Sequence, residues 1–161
     1  MHPRAAEFVE QAREAYGVDV AVEEFPEGTK TAADAAAAVG CDVAQIASSL
    51  AFAAGDRLVV VVTSGANRVS EARLATHLDV DADEVEMADP DRIAEVLGWS
   101  IGGVPPFCHA TDVPVLFDET LLEYETVWAA AGTPEAVFPV SPGRLREFAD
   151  AAVVDVTERA G

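Results

Sequence analysis

Lysine is almost missing from this chain. Lys30 is the only one, and the ten basic residues are otherwise arginines set against 29 Asp and Glu, for a formal net charge of −19. That balance excludes a basic groove that holds nucleic acid by charge alone. It does not exclude nucleic acid as a substrate, because salt screens the repulsion and keeps a self-repelling acidic surface folded and soluble. Cysteine is scarce as well: Cys41 and Cys108 have no C-x-x-C spacing and form neither a zinc site nor a disulfide framework. Long apolar runs are absent, none being longer than Leu58–Val62, far below the roughly 20 residues of a membrane helix. The N-terminal segment carries no apolar stretch of signal-peptide length, so a cytoplasmic location with reduced thiols is expected. There is no G-x-G-x-x-G, no P-loop, no G-x-S-x-G elbow and no His/Cys metal spacing. Neither a bound metal nor a cofactor is expected.

What is present is a core. Half of the 161 residues are apolar, mean hydropathy is +0.18 and alanine makes up about a fifth of the chain. This is one domain's length, and a single domain over residues 1–161 is expected. Low lysine, high alanine and strong acidity together read as adaptation to a salt-rich interior.

Helical spacing over 4–16 ends at Gly17, and Asp19–Phe25 alternates as a strand before a turn at Pro26-Glu27-Gly28. Thr31 opens an alanine-rich helix that Gly40 closes. Asp42 caps a short turn into a strand over 46–54, which pairs across Ala54-Gly55-Asp56 with the valine run 57–63. Ser70 caps a helix over 71–77, and Glu84–Ala88 is a short strand. Asp89 caps a helix over 90–97. Strands at 113–117, 125–130, 136–140 and 152–156 and a helix over 142–150 complete the chain. The order predicts an α+β fold with a central mixed, mostly antiparallel sheet and flanking helices.

Chemistry is sparse. Ser64 lacks a nucleophile elbow and reads as a loop serine, and His2 and His77 are isolated. His109 follows the glycine-proline loop and is the histidine placed to line a pocket. That loop, Gly98-Trp99-Ser100-Ile101-Gly102-Gly103-Val104-Pro105-Pro106-Phe107, is the most unusual segment. Its glycines admit close approach of backbone to a ligand, and its prolines hold it rigid. The amides of Gly103 and Val104 are candidates to converge on an oxyanion. A tight helix-to-strand connection explains the same composition.

Several segments, in order, resemble the YbaK/prolyl-tRNA-editing family of aminoacyl-tRNA deacylases. They are Lys30–Ala36, Gln45-Ile46-Ala47-Ser48-Ser49-Leu50-Ala51-Phe52, Leu58–Val62 with Ser64-Gly65-Ala66-Asn67-Arg68, Val85–Pro90 and Gly98–Pro106. Pro114–Asp118 and Val127–Gly132 resemble the closing strands. The resemblance covers roughly residues 4–156. It implies metal-free hydrolysis, in trans, of the ester joining a wrong, small amino acid (Ala, Ser, Cys or Pro) to the 3′ end of a tRNA, with a tRNA for proline among the candidates. It places the loop Gly102, Gly103, Val104 and Pro106 at the reacting ester. Lys30, Thr31, Ser48, Ser49, Ser64, Gly65, Arg68 and His109 are the expected substrate-binding residues. Expected partners are the aminoacyl-tRNA 3′ end and an aminoacyl-tRNA synthetase, with no DNA and no membrane. One departure stands out: Ser48 occupies the position of a lysine in the family's Q-I-x-K-[ST]-L. A neutral hydroxyl there implies a different amino-acid preference or weak activity. It also leaves open a second reading, a non-catalytic module of the same fold that binds tRNA or a synthetase.

Overall fold

The valine run organises the molecule. In the computed structural model, which describes residues 1–25 and 31–158, Val59, Val60, Val61 and Val62 are fully buried in strand β3 (Arg57–Ser64). β-Branched residues fit a pleated surface covered on both faces. β3 pairs antiparallel with β2 (Ile46–Ala54) through the turn at Gly55, in the register Ser49↔Val62 and Ala51↔Val60. On its other side it runs parallel to β5 (Val115–Asp118), which is parallel to β8 (Ala152–Val154). Beyond β2 lie β6 (Val127–Ala130), parallel to it, then β7 (Ala136–Val140), then the two-residue β1 (Glu23–Glu24). β4 (Val85–Met87) also pairs with β2. The eight strands form one mixed sheet, order β1-β7-β6-β2-β3-β5-β8 with β4 beside β2.

Helices cover both faces. On one, Val60 and Val62 pack with Phe8 of α1 (Pro3–Tyr16), Ile93 and Leu97 of α4 (Pro90–Leu97), Trp99, Phe117 and Phe138. Leu145 of α5 (Pro142–Ala149) joins that cluster. On the other, Val59 and Val61 meet Leu74 and Ala75 of α3 (Glu71–Leu78), and α2 (Ala32–Val39) packs Ala35 and Ala36 on Ile46. The caps act as expected. Thr31 Oγ1 accepts from Asp34 N–H at 3.1 Å and Ser70 Oγ from Arg73 N–H at 3.2 Å. Gly17, Gly40 and Gly98 close α1, α2 and α4 in the left-handed conformation.

The sequence expectations differ from the structure mainly at strand ends. The strand expected over Asp19–Phe25 shrinks to Glu23–Glu24, where β7 offers Val137 and Ala136 as partners. Val18, Val20 and Val22 pack on the core without pairing. The expected strands 113–117, 125–130 and 152–156 occupy 115–118, 127–130 and 152–154. The turn at Pro26–Gly28 lies outside the described residues. No described helix is long and apolar enough to cross a membrane.

Candidate functional site

The sheet is split beside β2. β6 pairs with β2 only at Ile46 and Ala47, and β4 only at Phe52–Ala54, so the edge between them has no strand partner. Gly65 N–H bonds the Ile46 carbonyl on the β3 side at 2.8 Å, and Ala88 N–H bonds the Ala51 carbonyl on the β4 side at 3.0 Å. Strand alternation therefore turns the Ser49 N–H and C=O into the gap. A cavity of about 290 Å³ occupies it. Its floor is Ala47, Ala51, Ile93 and Val104, all buried. Its rim includes Met87 and Ile101, 47% and 49% exposed. Although 24% of the chain is charged, no Asp, Glu, Lys, Arg or His lines this cavity among the described residues.

The loop after α4 forms one wall. Gly102 and Val104 line the cavity, and the Val104 N–H has no hydrogen-bond partner among the described residues. Gly103 is placed differently. Its N–H donates to the Ser100 carbonyl at 3.0 Å, so this amide is engaged in the loop's own turn. A Cβ on Gly103 would meet Thr133 Cα at 2.6 Å and Thr133 N at 2.8 Å, so glycine is required for two backbones to touch. Pro106 is buried behind this wall and does not line the cavity. Gly102, at φ +85°, lies against Pro134.

Thr31, Ser48 and Ser49 also line the cavity, whereas Lys30 lies outside the described residues. Ser64, Gly65, Arg68 and His109 are not part of it. Ser64 is fully buried at the end of β3, where its Oγ donates to the Ala44 carbonyl at 2.7 Å. Its N–H donates to Asp118 Oδ2 at 3.0 Å, as do Thr63 Oγ1 at 3.1 Å and Asn67 Nδ2 at 2.9 Å, while Oδ1 accepts from Thr120 N–H at 2.9 Å. Asp118, 2% exposed, thus ties β3, β5 and the 64–67 loop together. Gly65 lets Val43 and Ala32 approach, and Arg68 is exposed.

His109 lines a second cleft, of about 430 Å³, with Tyr16, Cys108 and Asp112. Its Nε2 is 2.8 Å from the Pro105 carbonyl. A carbonyl only accepts, so Nε2 carries the proton. Burial lowers the His109 pKa below the ordinary histidine value, partly offset by that hydrogen bond and by Asp112. Burial pushes the Cys108 thiol up to about 11, which leaves it a poor nucleophile.

Loop composition marks the glycine-proline loop, and the family resemblance marks the two serines. Ala130, Thr133, Pro134, Ala136 and Trp128, which close the far wall, gave no local signal, because only the long-range pairing of β6 and β7 brings them there.

Residues 26–148 match the family model of the aminoacyl-tRNA editing domain. Over 137 residues the chain is 31% identical to the uncharacterized protein YwhH of Bacillus subtilis, covering 84% of this chain and 85% of that protein. It is 30% identical over 119 residues to a proline–tRNA ligase of Lactiplantibacillus plantarum, covering 73% of this chain and 20% of the ligase. Among solved structures, a protein proposed as a trans-editing enzyme for prolyl tRNA synthetase superposes with a TM-score of 0.90 at 38% identity, over 99% of both chains. The hypothetical protein APE2540 superposes at 0.81 with 27% identity, over 94% of this chain and 99% of that one.

Proposed function

From the premise that the chain belongs to the aminoacyl-tRNA editing domain family, we propose that the cavity in the split sheet hydrolyses the ester of a mischarged aminoacyl-tRNA in trans. The acyl group is a small one, of the size of Ala, Ser, Cys or Pro, and tRNA for proline is the leading carrier. What carries this reading is the chemistry of the lining: among the described residues, an uncharged, largely apolar cavity beside two residues, Ser49 and Val104, whose backbone N–H groups have no strand or loop partner. An activated ester needs little more than an oriented water and donors for the oxyanion. Water adds to the ester carbonyl, the N–H groups of Ser49 and Val104 receive the developing negative oxygen, and the bond to the ribose oxygen breaks. That oxygen takes the proton, releasing free amino acid and tRNA. The substrate's own amine or ribose hydroxyl is the proton acceptor, since the described lining residues include no Asp, Glu, Lys or His.

Small lining residues, Ala47, Ala51, Ala130 and Ala136, leave room for short side chains. One methylene discriminates weakly in binding, about 1–3 kcal/mol, so exclusion of larger groups by the walls is the effective sieve. Relatives of similar length, YwhH and the proposed trans-editing enzyme, support action in trans. Similarity to part of a proline–tRNA ligase supports the choice of tRNA and makes a synthetase a candidate partner. The experiment is a deacylation panel of Ala-, Ser-, Thr-, Cys- and Pro-tRNA in KCl. Release of one or two small amino acids is expected. A folded protein that binds these tRNAs but hydrolyses none would select the non-catalytic reading, with Ser48 in place of the family lysine as its first explanation.

A further inference from the structure

One group in the cavity is unmatched by anything in the protein. Ser49 lies between Ala47 and Ala51 on β2, on the strand face that joins Ile93 and Val104 at the cavity floor. Its Oγ is buried and has no hydrogen-bond partner, and among the described residues no other buried side-chain oxygen or nitrogen shares that condition. Nearby hydroxyls are engaged: Thr31 Oγ1 accepts from Asp34 N–H at 3.1 Å and Thr133 Oγ1 from Glu135 N–H at 3.4 Å. A hydroxyl withdrawn from water without a partner is unfavourable, and native proteins keep such groups rarely. Ala47, Ala51, Ile93 and Val104 on that floor carry no polar side-chain atom, so a polar group entering the cavity would supply the missing partner.

The entering group is constrained by the substrate's shape. A tRNA cannot follow its own 3′ end into a cavity of about 290 Å³, so the acyl group leads and its side chain meets the floor. The ester and the amine are common to every aminoacyl-tRNA and give no choice among them. An alanyl methyl at the floor displaces water and leaves the Ser49 Oγ unmatched, whereas a short side chain ending in a hydroxyl both donates to it and accepts from it. A single torsion, χ1, with three staggered wells, aims the Ser49 hydroxyl. Resting on the editing reading above, we propose that Ser49 is the specificity-determining residue of this site and selects a seryl ester over an alanyl ester.

The test compares wild type with Ser49→Ala in two assays: hydrolysis of Ser-tRNA and Ala-tRNA, and calorimetric binding of non-hydrolysable adenosine analogues bearing seryl or alanyl in 3′-amide linkage. Wild type is expected to favour seryl by about tenfold or more in kcat/KM and in binding. Ser49→Ala is expected to bring both ratios close to one, with no fall in Tm because the lost hydroxyl bonds nothing in the free protein. A ratio that is the same in both proteins, or a parallel loss for both acyl groups, overturns the assignment. Binding preference without turnover by wild type supports Ser49 and removes the hydrolytic reading. Turnover without preference does the reverse.

Discussion

Ser64 and Ser49 lie on adjacent, hydrogen-bonded strands, both with buried hydroxyls, yet they sit in opposite kinds of environment. Around Ser64 every polar group is matched: its Oγ has the Ala44 carbonyl, and Asp118 gathers Thr63, Ser64, Asn67 and Thr120. Around Ser49 the sheet is open, the Oγ has no partner, and the strand edge faces a cavity with no charged group among the described residues. The first region is complete without a ligand and holds the fold. The second is the region where we propose that a ligand supplies the missing partner. Satisfaction of hydrogen bonds, rather than residue type or loop position, separates scaffold from site in this molecule.

The contrast is broken most severely by Asp118→Ala. It strands the donors of Thr63, Ser64, Asn67 and Thr120 and is expected to cost about 3–5 kcal/mol by urea denaturation, while deacylation per folded molecule is retained. Loss of activity in the folded fraction would join the two regions into one functional unit. Gly103→Ala comes next. The new Cβ collides with the Thr133 backbone, so stability is expected to fall by about 1–3 kcal/mol. Activity falls with it because Thr133 lines the cavity. Unchanged stability would show that the two backbones separate readily.

Salt sharpens the distinction further. With a net charge of −19 but no charged cavity lining among the described residues, rising KCl is expected to lower KM for tRNA several-fold and leave kcat nearly constant, as screening acts on approach and not on chemistry. A kcat that follows KCl would place charge at the reacting ester. The smallest effect concerns His109, outside the cavity. Its lowered pKa means that the unfolded chain binds the proton more readily, so its contribution to stability is present above about pH 6.5 and is lost as pH falls toward the folded value. His109→Asn should reduce this acid-side loss and leave the pH–rate profile of hydrolysis unshifted. A shifted profile would bring the second cleft into the reaction.

Much of the fold was legible because its signals are local. Thr31, Ser70, Asp89, Gly17, Gly40 and Gly98 mark helix ends through backbone chemistry that needs no partner, and the valine run announces a doubly covered strand. Val18, Val20 and Val22 show the limit: alternation reports burial, and strand pairing requires a neighbour that only β7 could supply. The loop at 102–104 was legible as a pocket wall for the same local reason, whereas the serines at 48 and 49 were legible only through the family resemblance. The Gly103 amide was not, because its engagement with Ser100 depends on the folded turn. Asp118 was hidden among 29 acidic residues, and the split in the sheet exists only once β4 and β6 meet opposite ends of β2.

The most direct measurement fills the cavity. Ala130 is half-buried on β6 and lines it, so Ala130→Trp should obstruct the acyl site while the sheet stays intact by circular dichroism. Deacylation of small aminoacyl-tRNAs is compared with wild type in the same KCl. Hydrolysis by wild type that is lost at least tenfold in the folded variant is the expected result. Equal rates in the two proteins would contradict the assignment of the reaction to the split in the sheet.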